Sequence, residues 1–179
     1  MGKVHTQLMT DHKNLSRVLK VLGAEIHRLG GDQSGEGPDF MLLEDILDYI
    51  RYYPEAFHHP LEEAAFDYLV EHGHCHRKQV EGISLDHNRL EEKTGSLRQK
   101  VTSIEAGHPV SFAVLSQELD DYLGAQRKHI VYEEENIFPL IEALGAKEDA
   151  EILGRIHHRR DPLVEQHRQQ QFERLFEKL

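Results

Sequence analysis

The sequence predicts an all-α fold: an up-down-up-down four-helix bundle with a C-terminal helical extension. Three observations carry that prediction. Apolar residues recur every three to four positions along four long stretches. Segments containing glycine and proline separate those stretches. The chain also repeats itself, because Asp11-His12 is followed by a His-x-x-x-Glu-Glu run and then Phe66, and Asp86-His87 by another and then Phe138. Two hairpins of the same kind, packed antiparallel, make such a bundle. At 179 residues one core is expected. We assign the bundle to residues 1–145 and a helical tail to residues 146–179.

The first helix is expected from Lys3 to Leu29, with His5, Leu8, His12, Leu15, Leu19, Leu22 and Ile26 on one stripe. Gly30 through Pro38 reads as an exposed loop. The second helix starts near Asp39, and Pro54 interrupts or restarts it because proline has no N–H to donate. Carried across Pro54, the period places Leu47, Ile50, His58, Leu61, Glu62, Phe66 and Leu69 inward. The same phase puts His59 and Glu63 with Asp48, Arg51, Glu55 and Asp67 on a solvent face, as outward groups or as supports for the inner pair. The helix ends around His72-Gly73-His74.

A third helix follows from about His76 to Ala106, burying Val80, Ile83, His87, Leu90, Thr94, Leu97, Val101 and Ile104. Gly107-His108-Pro109 turns the chain. The fourth helix, from about Val110 to Leu144, buries Leu115, Leu119, Tyr122, His129, Glu133, Ile137 and Leu140. The tail is expected as a short helix, a break near Asp161-Pro162 and a charged terminal helix. Its Phe172, Leu175, Phe176 and Leu179 suit packing on the bundle or a homodimer contact.

Composition narrows the function. A formal charge of -11 excludes nucleic acid and anionic membranes as partners, since neither is attracted to an acidic surface. A single cysteine, Cys75, allows no internal disulfide and fits a reducing, cytoplasmic setting. No apolar run approaches the ~20 residues of a spanning helix. Met1-Gly2-Lys3-Val4-His5-Thr6 matches a myristoylation pattern in form, with no second anchor signal beside it. The outlier is histidine, at 14 residues in a chain with no tryptophan.

Those histidines carry the chemistry. A carboxylate four residues after a histidine lies on the same helical face, one turn away. This spacing occurs on a buried stripe twice, as His58/Glu62 and His129/Glu133, and each hairpin adds a lone inward histidine, His12 or His87. Six buried polar groups without partners are costly, at ~1–3 kcal/mol each and more for a carboxylate. Two divalent cations satisfy all six, with the imidazoles terminal and the carboxylates bridging. Nitrogen and oxygen donors together suit iron, then manganese or zinc. Asp11 and Asp86 are candidate outer acceptors beside these ligands. Taken singly, a histidine on an apolar stripe is more often a hydrogen-bonded core residue. It is the recurrence of the whole set in both halves that points to metal. His5 is expected near the bundle mouth, and His72, His74, His76, His157, His158 and His167 are expected to be solvated. Tyr122 is expected to pack in the core.

The order His12, His58-His59-Pro60-Leu61-Glu62-Glu63, His87, His129-x-x-x-Glu133-Glu134 and Phe138-Pro139 resembles the hemerythrin-like cation-binding family over residues 5–145. The resemblance implies a four-helix bundle with a non-haem di-iron centre and an oxo or hydroxo bridge. His12, His58, His87 and His129 are then terminal ligands, while Glu62 and Glu133 bridge. It also implies a small diatomic or peroxide ligand. Oxygen-carrying members use a fifth histidine one turn before the one on the third helix, where this chain has Ile83. Glu91, one turn after His87, or water is left to take that place, and Glu134 is a reserve for Glu133. Three functions compete. The first is oxygen binding for sensing, buffering or delivery; the second is a catalase-like or nitric-oxide-consuming enzyme. The third is a ferritin-like ferroxidase, which Glu55-x-x-His58 suits but Gln126 breaks. A metal-free helical interaction module is the fourth possibility, from a different class.

Overall fold

The computed structural model describes residues 2–31, 37–156, 161 and 172–179, and among these there are helices and no strand. α1 spans Lys3–Leu29 and α2 Phe40–Tyr52, followed by a π turn at Pro54–His58 and α3 at His59–Glu71. α4 covers Arg77–Glu105, α5 Phe112–Asn136, α6 Phe138–Glu142, α7 Ala146–Gly154 and α8 Glu173–Lys178. Four antiparallel columns result: α1, then α2 with the π turn and α3, then α4, then α5 with α6. α2 packs on α4, α1 on α5 and α4 on α5.

Local chemistry sets the boundaries. The Asp39 carboxylate accepts from Leu42 N at 3.0 Å and starts α2. Glu25, fully buried in α1, accepts from Asp39 N at 2.9 Å and ties the two helices across their loop. Gly73 and Gly107 take φ of +72° and +79°, a conformation that favours glycine where α3 and α4 end. The expected fourth helix is split, because Pro139 cannot donate to the turn before it, so α5 stops at Asn136 and α6 restarts one residue later.

The π turn is the other departure from simple periodicity. His58 N reaches back five residues to Tyr53 O at 3.3 Å, where an α turn reaches four. The turn therefore takes up one extra residue. The inward stripe carried across Pro54 still holds, since Leu61, Glu62, Phe66 and Leu69 are buried, but His59 is buried beside it.

The apolar interior falls into two clusters. The larger gathers Leu15 through Leu29 of α1, the inner face of α2, and Leu90, Leu97, Leu119 and Tyr122. The smaller gathers Val4, Leu8, Leu61, Phe66, Ile83, Ile137 and Phe138. Each fully buried aliphatic side chain contributes ~1.5–3 kcal/mol. Between the clusters lies a layer of histidines and carboxylates: His12 sits between Leu8 and Leu15, and His87 between Ile83 and Leu90. The described end of the tail packs on its own bundle. Phe172 sets its ring edge-on against Tyr49 at 5.8 Å and Leu175 is buried, whereas Phe176 is exposed. His157, His158 and His167, the turn at Pro162 and most of the loop after Gly31 lie outside the described residues.

Candidate metal centre

All six sequence-selected residues meet in the layer between the two apolar clusters, and each is at most 7% exposed. α1 supplies His12, the π turn His58, α3 Glu62, α4 His87 and α5 both His129 and Glu133. The two carboxylates stand at the middle, fully buried. Glu62 Oε1 faces His58 Nε2 at 3.2 Å and His12 Nε2 at 3.6 Å, while its Oε2 faces His87 Nε2 at 3.3 Å. Glu133 mirrors this, with Oε2 at 3.4 Å from His12 Nε2, and Oε1 at 3.3 Å from His87 Nε2 and 3.2 Å from His129 Nε2. Each carboxylate thus presents one oxygen to the His12/His58 side and the other to the His87/His129 side.

A seventh residue, which helical phase alone places on the solvent face, joins them. His59 is 4% exposed, its ring stacked on His87 with centroids 4.0 Å apart. One donor atom from each of His59, Glu62, His87 and His129 fits within a 4.8 Å group, and one from each of His12, His58 and Glu62 forms another. Two features explain the correction. The π turn widens the helix at His58, so His59 is buried beside the predicted stripe while Asp67 stays exposed. In addition, His58 is four residues before Glu62 and His59 three, and both spacings bring side chains together on a helix. The signal available in the sequence was that second spacing, with Pro54 as the warning. His59 also removes the difficulty at Ile83, which is buried in the smaller apolar cluster and leaves the second group without a donor from that position. Glu91 takes no place in either group; its carboxylate lies 3.6 Å from His59 Nδ1 and is 43% exposed.

The outer nitrogens of three of these histidines are held by carboxylates from other helices. Asp11 Oδ2 lies 3.2 Å from His58 Nδ1, and Tyr53 OH donates to Asp11 Oδ1 at 3.1 Å. Glu134 Oε1 lies 3.0 Å from His12 Nδ1, and Glu63 Oε1 2.9 Å from His87 Nδ1. Such partners fix ring orientation and tautomer. Asp11 is therefore an outer acceptor as expected, although for His58 across the interface and not for its neighbour His12. Asp86 is not one: it is exposed and pairs with Arg89 at 3.1 Å. Among the other histidines, His72, His74 and His76 are exposed as expected, but His5 is buried and sets its ring edge against Phe138.

The electrostatics show what the cluster lacks. Burial penalises every charge here, yet Glu133 and Glu62 outweigh it at His12 and push that imidazole up to about 9. Against the same burial, Glu62 and Asp11 carry His58 to about 10, and Glu133, Glu62 and Glu63 carry His87 to about 11. Glu62 stays well below the usual carboxylate range despite burial, held there by His58 and His12. His59 and His129 go the other way, because burial and neighbouring imidazoles strip their protons. Three imidazolium protons thus supply the positive charge that two buried carboxylates require. Even so, both oxygens of Glu62, Oε2 of Glu133 and Nε2 of His129 have no hydrogen-bond partner. Orphaned donors of this kind, all nitrogen or carboxylate oxygen and converging from four columns, fit divalent cations.

Comparison with known proteins agrees with that chemistry. Residues 4–141 match the family model described as the Hemerythrin HHE cation binding domain, and residues 79–175 match the same model again. No curated protein matches, and no solved structure does.

Proposed function

The chain belongs to the hemerythrin HHE cation-binding family, and on that footing we propose that it is a non-haem di-iron protein that binds oxygen or a related small molecule. His12 and His58 hold one ion, and His59, His87 and His129 hold the other. Glu62 and Glu133 span both, each with one oxygen aimed at either side. That division of oxygens is the observation that carries the two-ion reading, because the two oxygens of each carboxylate face different sets of imidazoles, whereas one chelated ion would face both oxygens at once. When bound, the pair would supply reversible electron transfer to a small ligand.

The protein's own groups do the rest. The His12/His58 side has one imidazole fewer, which leaves room there for an exogenous ligand. Phe138 stacks on His12 at 4.7 Å and keeps that side apolar. Burial excludes bulk water from all seven donors. Asp11, Glu63 and Glu134 hold the ligand rings in place from outside. Five imidazoles, with His59 in place of a donor at Ile83, favour reversible binding over peroxide or nitric-oxide turnover. We place the protein in the cytoplasm on its lone Cys75; no described helix is long and apolar enough to cross a membrane.

The test is anaerobic reduction of iron-loaded protein followed by optical spectroscopy on admitting oxygen. A visible band that appears with oxygen and disappears on degassing supports binding. Steady oxygen evolution from added peroxide, with no reversible band, replaces this reading with the enzymatic one.

A further inference from the structure

A groove on the outer face of the second hairpin lies apart from the histidine layer and touches it at one residue, His129. α4 and α5 leave about 570 Å³ open between them, within the ~300–1,000 Å³ typical of small-molecule sites. Buried Ile83, Leu90 and His129 form the floor, while exposed Leu85 and Tyr132 stand at the rim. Gly82 keeps one wall bare, since a Cβ built there would meet nothing within 4 Å. At mid-helix that glycine costs α4 ~1 kcal/mol against alanine and leaves the groove clear.

The charge of the groove runs against that of the chain. The chain carries -11, yet Lys78, Arg89, Lys93 and Lys128 line the groove against a single carboxylate, Asp86. Asp86 is already paired with Arg89 at 3.1 Å. Among the described residues, Lys78, Lys93 and Lys128 make no ion pair. His129 adds to the imbalance. Its Nε2 faces Glu133 at 3.2 Å. Its Nδ1 meets no carboxylate among the described residues, whereas those of His12, His58 and His87 each do. What the polar groups of this groove lack in common is an anionic acceptor. What its floor lacks is an apolar cover.

We propose that the groove binds a small organic acid, a carboxylate carried on an apolar chain or ring. The carboxylate pairs with the lysine ammonium groups at the rim, and the apolar body lies on Ile83, Leu90 and His129. An inorganic anion would leave that floor wet, and a cation would be repelled by the lysines. A macromolecular surface is too flat to reach a floor so far buried. The site lies outside the histidine layer and does not depend on the ion held there.

Titration calorimetry of the full chain with octanoate tests it, beside octyltrimethylammonium, which has a similar apolar body and the opposite charge. Wild type is compared with Gly82→Phe, with Lys93→Glu and Lys128→Glu combined, and with Lys147→Glu as an exposed control on α7. Circular dichroism checks the fold of each variant. Octanoate is expected to bind wild type and the control alike, at about one per chain. The cationic amphiphile should bind at least about ten-fold more weakly. Gly82→Phe fills the groove and the lysine reversal inverts its charge, so each should weaken octanoate by about ten-fold or more. No octanoate binding to wild type overturns the proposal. Equal binding of the cationic amphiphile, or unchanged octanoate affinity in the lysine reversal, overturns the anionic class. A folded Gly82→Phe that keeps wild-type affinity puts the octanoate elsewhere and overturns the groove. If Gly82→Phe does not fold, the lysine reversal decides alone.

Discussion

The two hairpins carry the same motif and use it differently. In the second, α5 runs unbroken through His129 and Glu133, so one histidine and one carboxylate face inward and Lys128 beside them is exposed. In the first, the column breaks just before the motif, and the π turn admits two consecutive histidines, His58 and His59, one to each side of Glu62. Four candidate ligands therefore come from the first hairpin and three from the second. The difference teaches that a sequence repeat need not be a structural copy. A single local change in helix geometry turns a symmetric pair of half-sites into an asymmetric cluster, with three histidines in one candidate group and two in the other.

The largest expected effect tests what the hairpins share. Glu62→Ala and Glu133→Ala should each weaken both ions by more than about 100-fold, because each removes a bridge and leaves imidazoles facing one another. Metal content by atomic emission checks this; a variant that keeps both ions breaks the equivalence of the two carboxylates.

Protons come next. The raised His12, His58 and His87 bind protons in the metal-free fold, and metal must displace them. The sign is fixed by the direction of the shifts. Their contribution to the metal-free fold is complete below the ordinary histidine value of about 6.5 and fades as pH climbs through about 9 to 11. Metal affinity runs oppositely and should rise between pH 6 and 8 by up to about three decades per unit, one per displaced proton. Calorimetry in buffers of different ionisation enthalpy should count about three protons released per loaded chain.

The asymmetry itself rests on His59. His59→Ala should lower the metal content from about two ions per chain to about one, sparing the ion held by His12 and His58. If His59→Ala retains both ions while His58→Ala loses one, the hairpins are equivalent after all. Smallest are the outer carboxylates. Asp11→Asn, Glu63→Gln and Glu134→Gln should each cost about 10- to 100-fold in affinity by chelator competition. Glu63→Gln is the most informative of these, since it belongs to the first hairpin and acts on His87 of the second.

Much of this was legible in the sequence. α1 runs from Lys3 to Leu29 as its apolar period predicts, and the six residues chosen by spacing and phase converge. What was not legible depends on contacts between helices or on a local change of pitch. His59 was misplaced because periodicity assumes a constant rise through Pro54. Asp86 was proposed as a support because it neighbours His87 in the chain, but adjacent residues point about 100° apart and the support comes from Glu63 across the bundle. The split at Ile137 follows from Pro139, which interrupts the fourth column as Pro54 interrupts the second.

Asp149 adds a consequence about order in time. Its carboxylate accepts from Lys3 N and, at 3.1 Å, from Val4 N, so the first turn of α1 is capped from α7. As the chain leaves the ribosome α1 emerges early, yet its cap is made about 145 residues later. Until then the first turn of the helix bearing His12 lacks the acceptor for its leading N–H groups. The end of the bundle that carries His12 is therefore complete only once α7 has been made and has docked on α1.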